Sequence, residues 1–517
     1  MTTALLAVLL AATPAAPGPL LVMRPDGGEA VAEAAWVGEM VAESLPEALR
    51  VAGAPAVESA DRLRAQAALE IPPVLLSRAT CIRIGEALGA DRLVLGNYSL
   101  SGSELTVSVR LLDAERGTLS APFVVSGREE EILPLVGRLA WDLALASSTP
   151  PRLTREAFLA ALPSPPFPAV KAFGQGLATR DLASKKRLIR AALALAPDYH
   201  AARLTLGRLE IEARDFQAAL DTLGKIPEGA AEARSARFQE VVAMLASGRN
   251  RGAAAICARL IADQPSPAAL SNHALALLRG GGGELKASEV LRKALELSPG
   301  STDIAFNLAW ALLSEGNAEG AVFHLRGVLR EEPLDALARL VLAWALAKAG
   351  QASEAQQEWR GVLAMSPSYE GLTNFDPSRR FERVMASERL LVVDRGTRSE
   401  AEVAAGLIGR AEKLSASGDV SGALRELTRA AYLDPYAPRI HLLLARAHLR
   451  SGDKEKAANE YRMALWSRDD PTVRLELAQM LQDMGRAAEA RAEAQRVLEV
   501  DPANEPARRL LSTAPPK

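Results

Sequence analysis

One alanine returns every 34 residues through the second half of this chain. It stands at Ala219, Ala253, Ala287, Ala321 and Ala355, skips a slot held by Arg389, and resumes at Ala423, Ala457 and, one residue early, Ala490. Three marks travel with it. Glycine stands five residues before, at Gly248, Gly282, Gly316, Gly350, Gly418, Gly452 and Gly485. A small residue usually stands twelve before, at Gly207, Ala309, Ala343, Ala411, Ala445 and Ala478, and proline twelve after, at Pro265, Pro299, Pro333, Pro367, Pro435 and Pro502. A strict period of this length marks stacked copies of one small unit that cannot bury its apolar face alone. The small pair lets two helices cross closely, the glycine takes the turn between them, and the proline ends the second helix.

Several positions agreeing over many copies make this stretch similar to the tetratricopeptide repeat, from Pro168 to the end. Eight copies follow Tyr199, after an irregular first hairpin at 169–197, and Asn504 to Ser512 is expected to cap the last apolar face. The resemblance implies that the first helix of each unit lines a concave groove. It places Phe238, Asn272, His273, Phe306, Asn307, Trp310, Leu340 and Trp344 there. Trp310 and Trp344 fall on one stripe in a chain with only 4% aromatic residues. Two readings stay open for them: a recognition patch for an apolar or extended peptide, or packing against the next helix or an insert. Further on, Arg439, Arg446 and Arg450 share the groove face of one repeat, either to receive an acidic segment or as a solvated helical face. The family's clamp for a C-terminal carboxylate needs lysines that these positions lack, which disfavours binding of chaperone tails.

The skipped slot keeps its length and loses its chemistry. Val384 replaces the turn glycine and Arg389 the alanine, while Gly371, Asn374 and Asp376-Pro377 fall where the first helix would run. A proline inside a helix costs ~3 kcal/mol, so a loop from Ser368 to Pro377 is expected, then one helix from about Ser378 to Leu391. The slot reads either as a worn repeat or as an insert that folds into the groove or divides the array. In the second case Arg379, Arg380 and Arg383 face a partner or the neighbouring repeats.

Before the array the period changes. Pro19 to Arg24 reads as a short buried strand, Gly28 to Val51 and Leu76 to Leu88 as helices, and Arg92 to Leu100 with Leu105 to Leu112 as a hairpin around Ser101-Gly102-Ser103. Leu105, Val107, Val109 and Leu111 alternate onto one buried face. Leu119 to Ser126 returns as a strand, and Glu129 to Leu145 as a helix. The phrase GADRLVLGNYSLSGSELTVSVRLLDAERGTL resembles the N-terminal domain of TolB-like periplasmic proteins over roughly 130 residues. No β-propeller sequence follows, so a Tol-system role does not carry over.

The expected fold class is therefore an α+β N-terminal domain, a small mixed sheet with helices, followed by an all-α superhelix. Residues 1–18 form a candidate secretory signal: Ala4 to Ala12 suit an h-region, although no Lys or Arg precedes them and no clean cleavage site follows. A disordered or partly buried N-terminal segment is the other reading. The α/β domain spans 19–147, a proline-rich connector 148–168, the array's first part 169–367, the degenerate slot 368–403, the second part 404–503, and the cap and tail 504–517.

Charge and chemistry narrow the function. A net charge of −2, from 61 basic and 63 acidic residues, gives no electrostatic case for nucleic acid. No run reaches transmembrane length. Cys81 and Cys257 read as two small buried hydrophobes. The five histidines (His200, His273, His324, His441, His448) form no metal-binding motif. Gly280 to Gly283 fall at a repeat turn without a phosphate-loop lysine, and no GxSxG or Cys-His signature appears. The reading is a non-enzymatic scaffold without cofactor, periplasmic or secreted, that binds a protein or peptide in the groove. The alternative is a sensor whose α/β domain binds a small molecule and whose repeats relay it; a cytoplasmic location goes with a first segment that is no signal.

Overall fold

Gly102 adopts φ +60° and lets Ser101 pair with Glu104 across a two-residue turn. That hairpin organises the N-terminal sheet of the computed structural model, which describes residues 18–27, 34–69, 71, 76–147, 151, 153–280, 285–391, 400–433, 437–467 and 469–512. Strand β1 (Leu20–Val22) lies parallel to β2 (Arg92–Ser101); β3 (Glu104–Asp113) is antiparallel to β2, and β4 (Thr118–Leu119) and β5 (Phe123–Arg128) both pair with β3. The single strand expected at 119–126 is thus two. Pro122 offers no N–H to the ladder, and the Ser120 hydroxyl instead accepts from the Leu111 N–H.

Four helices cover this sheet: α1 (Ala35–Val51), α2 (Ser59–Ala68), α3 (Arg78–Ala87) and α4 (Ile132–Ala146). Leu105, Val107 and Val109 are buried in one core with residues of α1 and α4. The opposite face is not open where β1 and β2 meet. Leu93 pairs with Leu112, and both pack with Leu21, Ala65, Cys81 and Ile84 in a second core. The alternation holds, with Leu111 packing on the first core and Leu112 in the second, so this end of the sheet is buried on both faces. The proline-rich connector contains α5 (Arg155–Ala161), capped by the Thr154 hydroxyl; its Phe158 is fully buried against Trp141.

Helix α6 (Phe167–Ala178) packs on α1 so closely that a Cβ at Gly174 would meet Met40 at 2.6 Å. One apolar core consequently runs from the sheet into the first helix pairs. The pairs are α6 with α7 (Leu182–Leu195), α8 (His200–Glu212) with α9 (Phe216–Leu223), α10 (Ala233–Ala246) with α11 (Asn250–Asp263), α12 (Pro267–Gly280) with α13 (Ala287–Leu297), α14 (Thr302–Ser314) with α15 (Ala318–Glu331), and α16 (Ala336–Lys348) with α17 (Ala352–Met365). A second compact unit, Arg395–Lys517, holds α18 (Glu400–Ala416), α19 (Val420–Leu433), α20 (Pro438–Arg450), α21 (Lys454–Ser467), α22 (Pro471–Asp483), α23 (Ala487–Val500) and the terminal α24 (Glu505–Ser512).

The alanine ladder is buried throughout, and so is its small partner: Ala219, Ala253, Ala321, Ala423, Ala457 and Ala490 are inaccessible, as are Ala309, Ala445 and Ala478. A Cβ at Gly207 would stand 2.5 Å from Leu223, which shows how tightly one pair crosses. Most of the turn glycines have positive φ. In the first copy that position belongs to Arg214, which adopts φ +61° all the same. Gly282 and Pro435 lie outside the described residues, as do residues 1–17.

The helix expected from Ser378 to Leu391 does not form. After one 3-10 turn at Pro367–Tyr369, the described chain to Leu391 holds no helix or strand. Pro377 takes the second position of a tight turn closed by the Arg379 N–H on the Asp376 carbonyl. Beyond it the backbone of Arg383, Met385 and Ala386 bonds to side chains of other helices instead of to itself.

Candidate functional site

The first helices of four successive pairs, α10, α12, α14 and α16, turn one row of side chains toward residues 372–391. On α12, Asn272 and Arg279 lie seven residues apart and so share a face. On α14, Asp303, Phe306, Asn307 and Trp310 form the same stripe. These rows grip an extended chain by its backbone. The Asn272 side chain donates to the Met385 carbonyl at 2.9 Å and accepts from the Met385 N–H at 2.8 Å. One repeat on, the Asn307 side chain donates to the Arg383 carbonyl at 2.8 Å and accepts from the Arg383 N–H at 2.7 Å. Gln239 donates to the Ala386 carbonyl at 3.0 Å, and the Trp344 indole to the Leu372 carbonyl at 3.0 Å. The segment runs against the order of the repeats, from α16 back to α10.

Side chains of the segment enter matched surroundings. Phe375 and Phe381 meet both Trp310 and Trp344, with ring centroids 5.3–6.0 Å apart and mostly edge-on, the geometry that ring quadrupoles favour. Glu382 and Arg279 form a two-point ion pair at 3.1 and 3.2 Å with both side chains almost wholly buried. Arg383 lies over the Phe306 ring, 4.2 Å from its centroid, and pairs with Asp303 at 2.8 Å and with Asp335. Burial would lower the Arg383 pKa, but the two aspartates outweigh it and hold the guanidinium charged. Met385 is buried with Phe238, Val241 and Leu275. Glu388 takes two bonds from Arg234 at 2.7 and 2.8 Å and one from Ser266.

The segment ends on the α/β domain. Arg389 donates to the Leu88 carbonyl at 3.2 Å and stands 3.9 Å from Asp61, while Arg64 donates to the Arg389 carbonyl. Leu391 packs on the core behind β1 and β2. Nearby, a cleft of about 30 Å³ is lined by Glu43, Glu47, Glu58, Arg208 and Glu232. Burial, then the charge of Glu232, pushes Glu47 up to about 8. Burial would also raise Glu58, but Arg208 and Arg50, with hydrogen bonds from Ser235 and Arg208, hold it at about 2.

Of the residues the repeat register placed on the groove, Asn272, Phe306, Asn307, Trp310 and Trp344 meet the segment. Phe238 and Leu340 are buried beside it. All seven are covered, so none is an open recognition surface while the segment is in place. His273 is half-buried and turned to the Ala254 backbone on α11, where burial lowers its pKa. Arg439, Arg446 and Arg450 lie in the second unit and link neighbouring first helices: Arg439 to Glu412 at 2.8 Å, Arg446 to Glu476 at 3.0 Å, and Arg450 to Ser415. Arg379 lies 3.8 Å from Asp376. Sequence reasoning missed Arg234, Gln239, Arg279, Asp303 and Asp335. Helical spacing from Asn272 and Asn307 would have found Arg279 and Asp303.

A family model for the tetratricopeptide repeat matches residues 312–368 and 414–465, and a second matches 471–504. The chain carries tetratricopeptide repeats. No curated protein matches it. Among solved structures it is similar to a tetratricopeptide repeat protein from Parabacteroides merdae, at 14% identity and a TM-score of 0.34, over 61% of this chain and 97% of that one. It is also similar to a thermophilic TPR protein of Thermus thermophilus, at 22% identity and a TM-score of 0.19, over 41% and 98%. The repeat assignment rests on the family models and the helix pairs. Such repeats suggest a scaffold for protein–protein interaction and are typically non-enzymatic. Among the described residues, no group of three or more His, Cys, Asp and Glu could hold a metal ion, and no helix is long and apolar enough to cross a membrane.

Proposed function

We propose that the protein is a non-enzymatic scaffold whose groove over α10 to α16 binds an extended polypeptide. The observation that carries this reading is the pair of asparagines, Asn272 and Asn307, each holding both polar groups of one backbone residue. Backbone recognition of this kind suits any extended chain, and flanking side chains supply the choice among chains. In this protein the groove holds the chain's own residues 372–391. The reading also takes the sheet with its helices as a TolB-like N-terminal domain, and the apolar run at residues 4–12 as an export signal to the cell envelope.

The test is comparative capture from the native cell, quantified by mass spectrometry, with the natural chain and an Asn272→Leu/Asn307→Leu chain as baits. Partners whose recovery changes by tenfold or more support a groove that works in binding. An identical partner set at identical recovery sinks it. For the compartment, N-terminal sequencing of the protein from a periplasmic fraction is expected to begin near residue 18; an intact Met1 in the cytosol contradicts export.

A further inference from the structure

We infer that residues 378–391 are a tethered stand-in for a partner, and that the groove accepts from another protein an extended segment of the same spaced chemistry. That chemistry is an aromatic residue, then Glu, Arg, any residue, a large apolar residue, any two residues, and an acid. The inference rests on the groove reading above and adds the partner's pattern and its competition with a built-in occupant.

Three observations carry it. First, the groove holds the segment's middle by its main chain at Arg383, Met385 and Ala386, and meets each of its buried charges with an opposite charge. Glu382 faces Arg279, Arg383 faces Asp303 and Asp335, and Glu388 faces Arg234. The groove thus presents plus, minus, plus along its length, and an incoming chain must present the complement. Second, the segment contributes no helix or strand to the array. Its release breaks side-chain bonds and uncovers the apolar surroundings of Phe381 and Met385, while the i to i−4 ladders of α10 to α16 stay intact. Third, its C-terminal anchor is small: a polar latch, the partly exposed Arg389 on the Leu88 carbonyl and Asp61, and one apolar contact, Leu391 on the core of the α/β domain. A tether of this kind acts at an effective concentration of roughly millimolar, so an external segment is kept out until the latch is weakened or its affinity is high.

The probe is a fluorescein-labelled peptide of residues 378–391, titrated by anisotropy against three full-length chains: the natural one, one with 378–389 replaced by Gly/Ser at equal length, and the replaced chain carrying Asn272→Leu and Asn307→Leu. The replaced chain is expected to bind at least 100-fold more tightly than the natural one, and the asparagine changes to cost at least tenfold. Peptides with Glu382→Arg or Arg383→Glu should bind at least tenfold more weakly, and one with Ala386→Ser, at an exposed side chain, within threefold. A folded replaced chain that does not bind overturns the groove reading and this inference together. A replaced chain that binds natural and charge-reversed peptides alike leaves the groove reading and overturns the pattern. Where replacement abolishes folding, the natural chain decides. Amides of Arg383 and Met385 should exchange with solvent at least tenfold faster than the slowest amides of α12 and α14. Exchange only through global unfolding means a permanent strut and contradicts the inference.

Discussion

Asn272 and Met385 stand 113 positions apart, and one side-chain amide satisfies both polar groups of the other's backbone, at 2.9 and 2.8 Å. Burial without those partners would leave a donor and an acceptor stranded, at ~1–3 kcal/mol each. Asn272→Leu keeps the volume and removes both bonds. It is expected to destabilise the first unit by about 2–4 kcal/mol in urea unfolding. A change within 0.5 kcal/mol would show that the segment is not held there.

The Arg279–Glu382 pair yields a double-mutant prediction. Arg279→Leu alone strands a buried carboxylate and should cost about 3–5 kcal/mol. Adding Glu382→Leu should recover most of that loss, because a matched apolar pair pays no desolvation. Additive losses in the cycle would mean that the two groups do not meet.

Glu47 predicts a pH dependence. Its carboxyl is raised from the usual 4.5 to about 8 by burial and then by Glu232. A raised acid is neutral in the folded state while the unfolded chain already ionises, so the folded chain binds more protons between these values. Stability on this account is full below about 4.5 and declines as pH rises through 8, by roughly 2–5 kcal/mol. Tm of the natural chain and a Glu47→Gln chain should agree near pH 5 and separate toward pH 9, the variant being higher. Parallel curves would contradict the assignment.

Arg214 holds the left-handed turn that glycine takes in later copies. Arg214→Gly relieves a steric penalty of roughly 1–2 kcal/mol and adds unfolded-state entropy of about half that. A net gain of about 0.5–1 kcal/mol is expected in thermal unfolding. A loss would mean that the arginine side chain contributes more than its backbone strains.

The legible part of this fold is the part with a period. The alanine, glycine and proline marks set each helix pair, because every copy solves the same packing problem. The stripe of Asn272, Asn307, Trp310 and Trp344 followed from that register. The occupant's conformation did not. An extended chain in a groove has no period of its own: Phe375, Phe381 and Met385 answer to pockets on other helices, and its hydrogen bonds end on side chains 76 and 113 residues away. Proline and glycine told where the helix could not run, but read alone they left Ser378 to Leu391 free to be helical. Nor did the alternation of β3 show the second core, since Leu112 is buried by helices α2 and α3.

Native-state hydrogen exchange at two amides tests directly whether the chain's own residues 372–391 fill its groove. The Arg383 and Met385 N–H groups donate to Asn307 and Asn272 in this account. They should exchange at least 100-fold more slowly than in the free 378–391 peptide, and lose that protection in the Asn307→Leu and Asn272→Leu chains respectively. Exchange at the free-peptide rate in the natural chain would mean that the groove is empty.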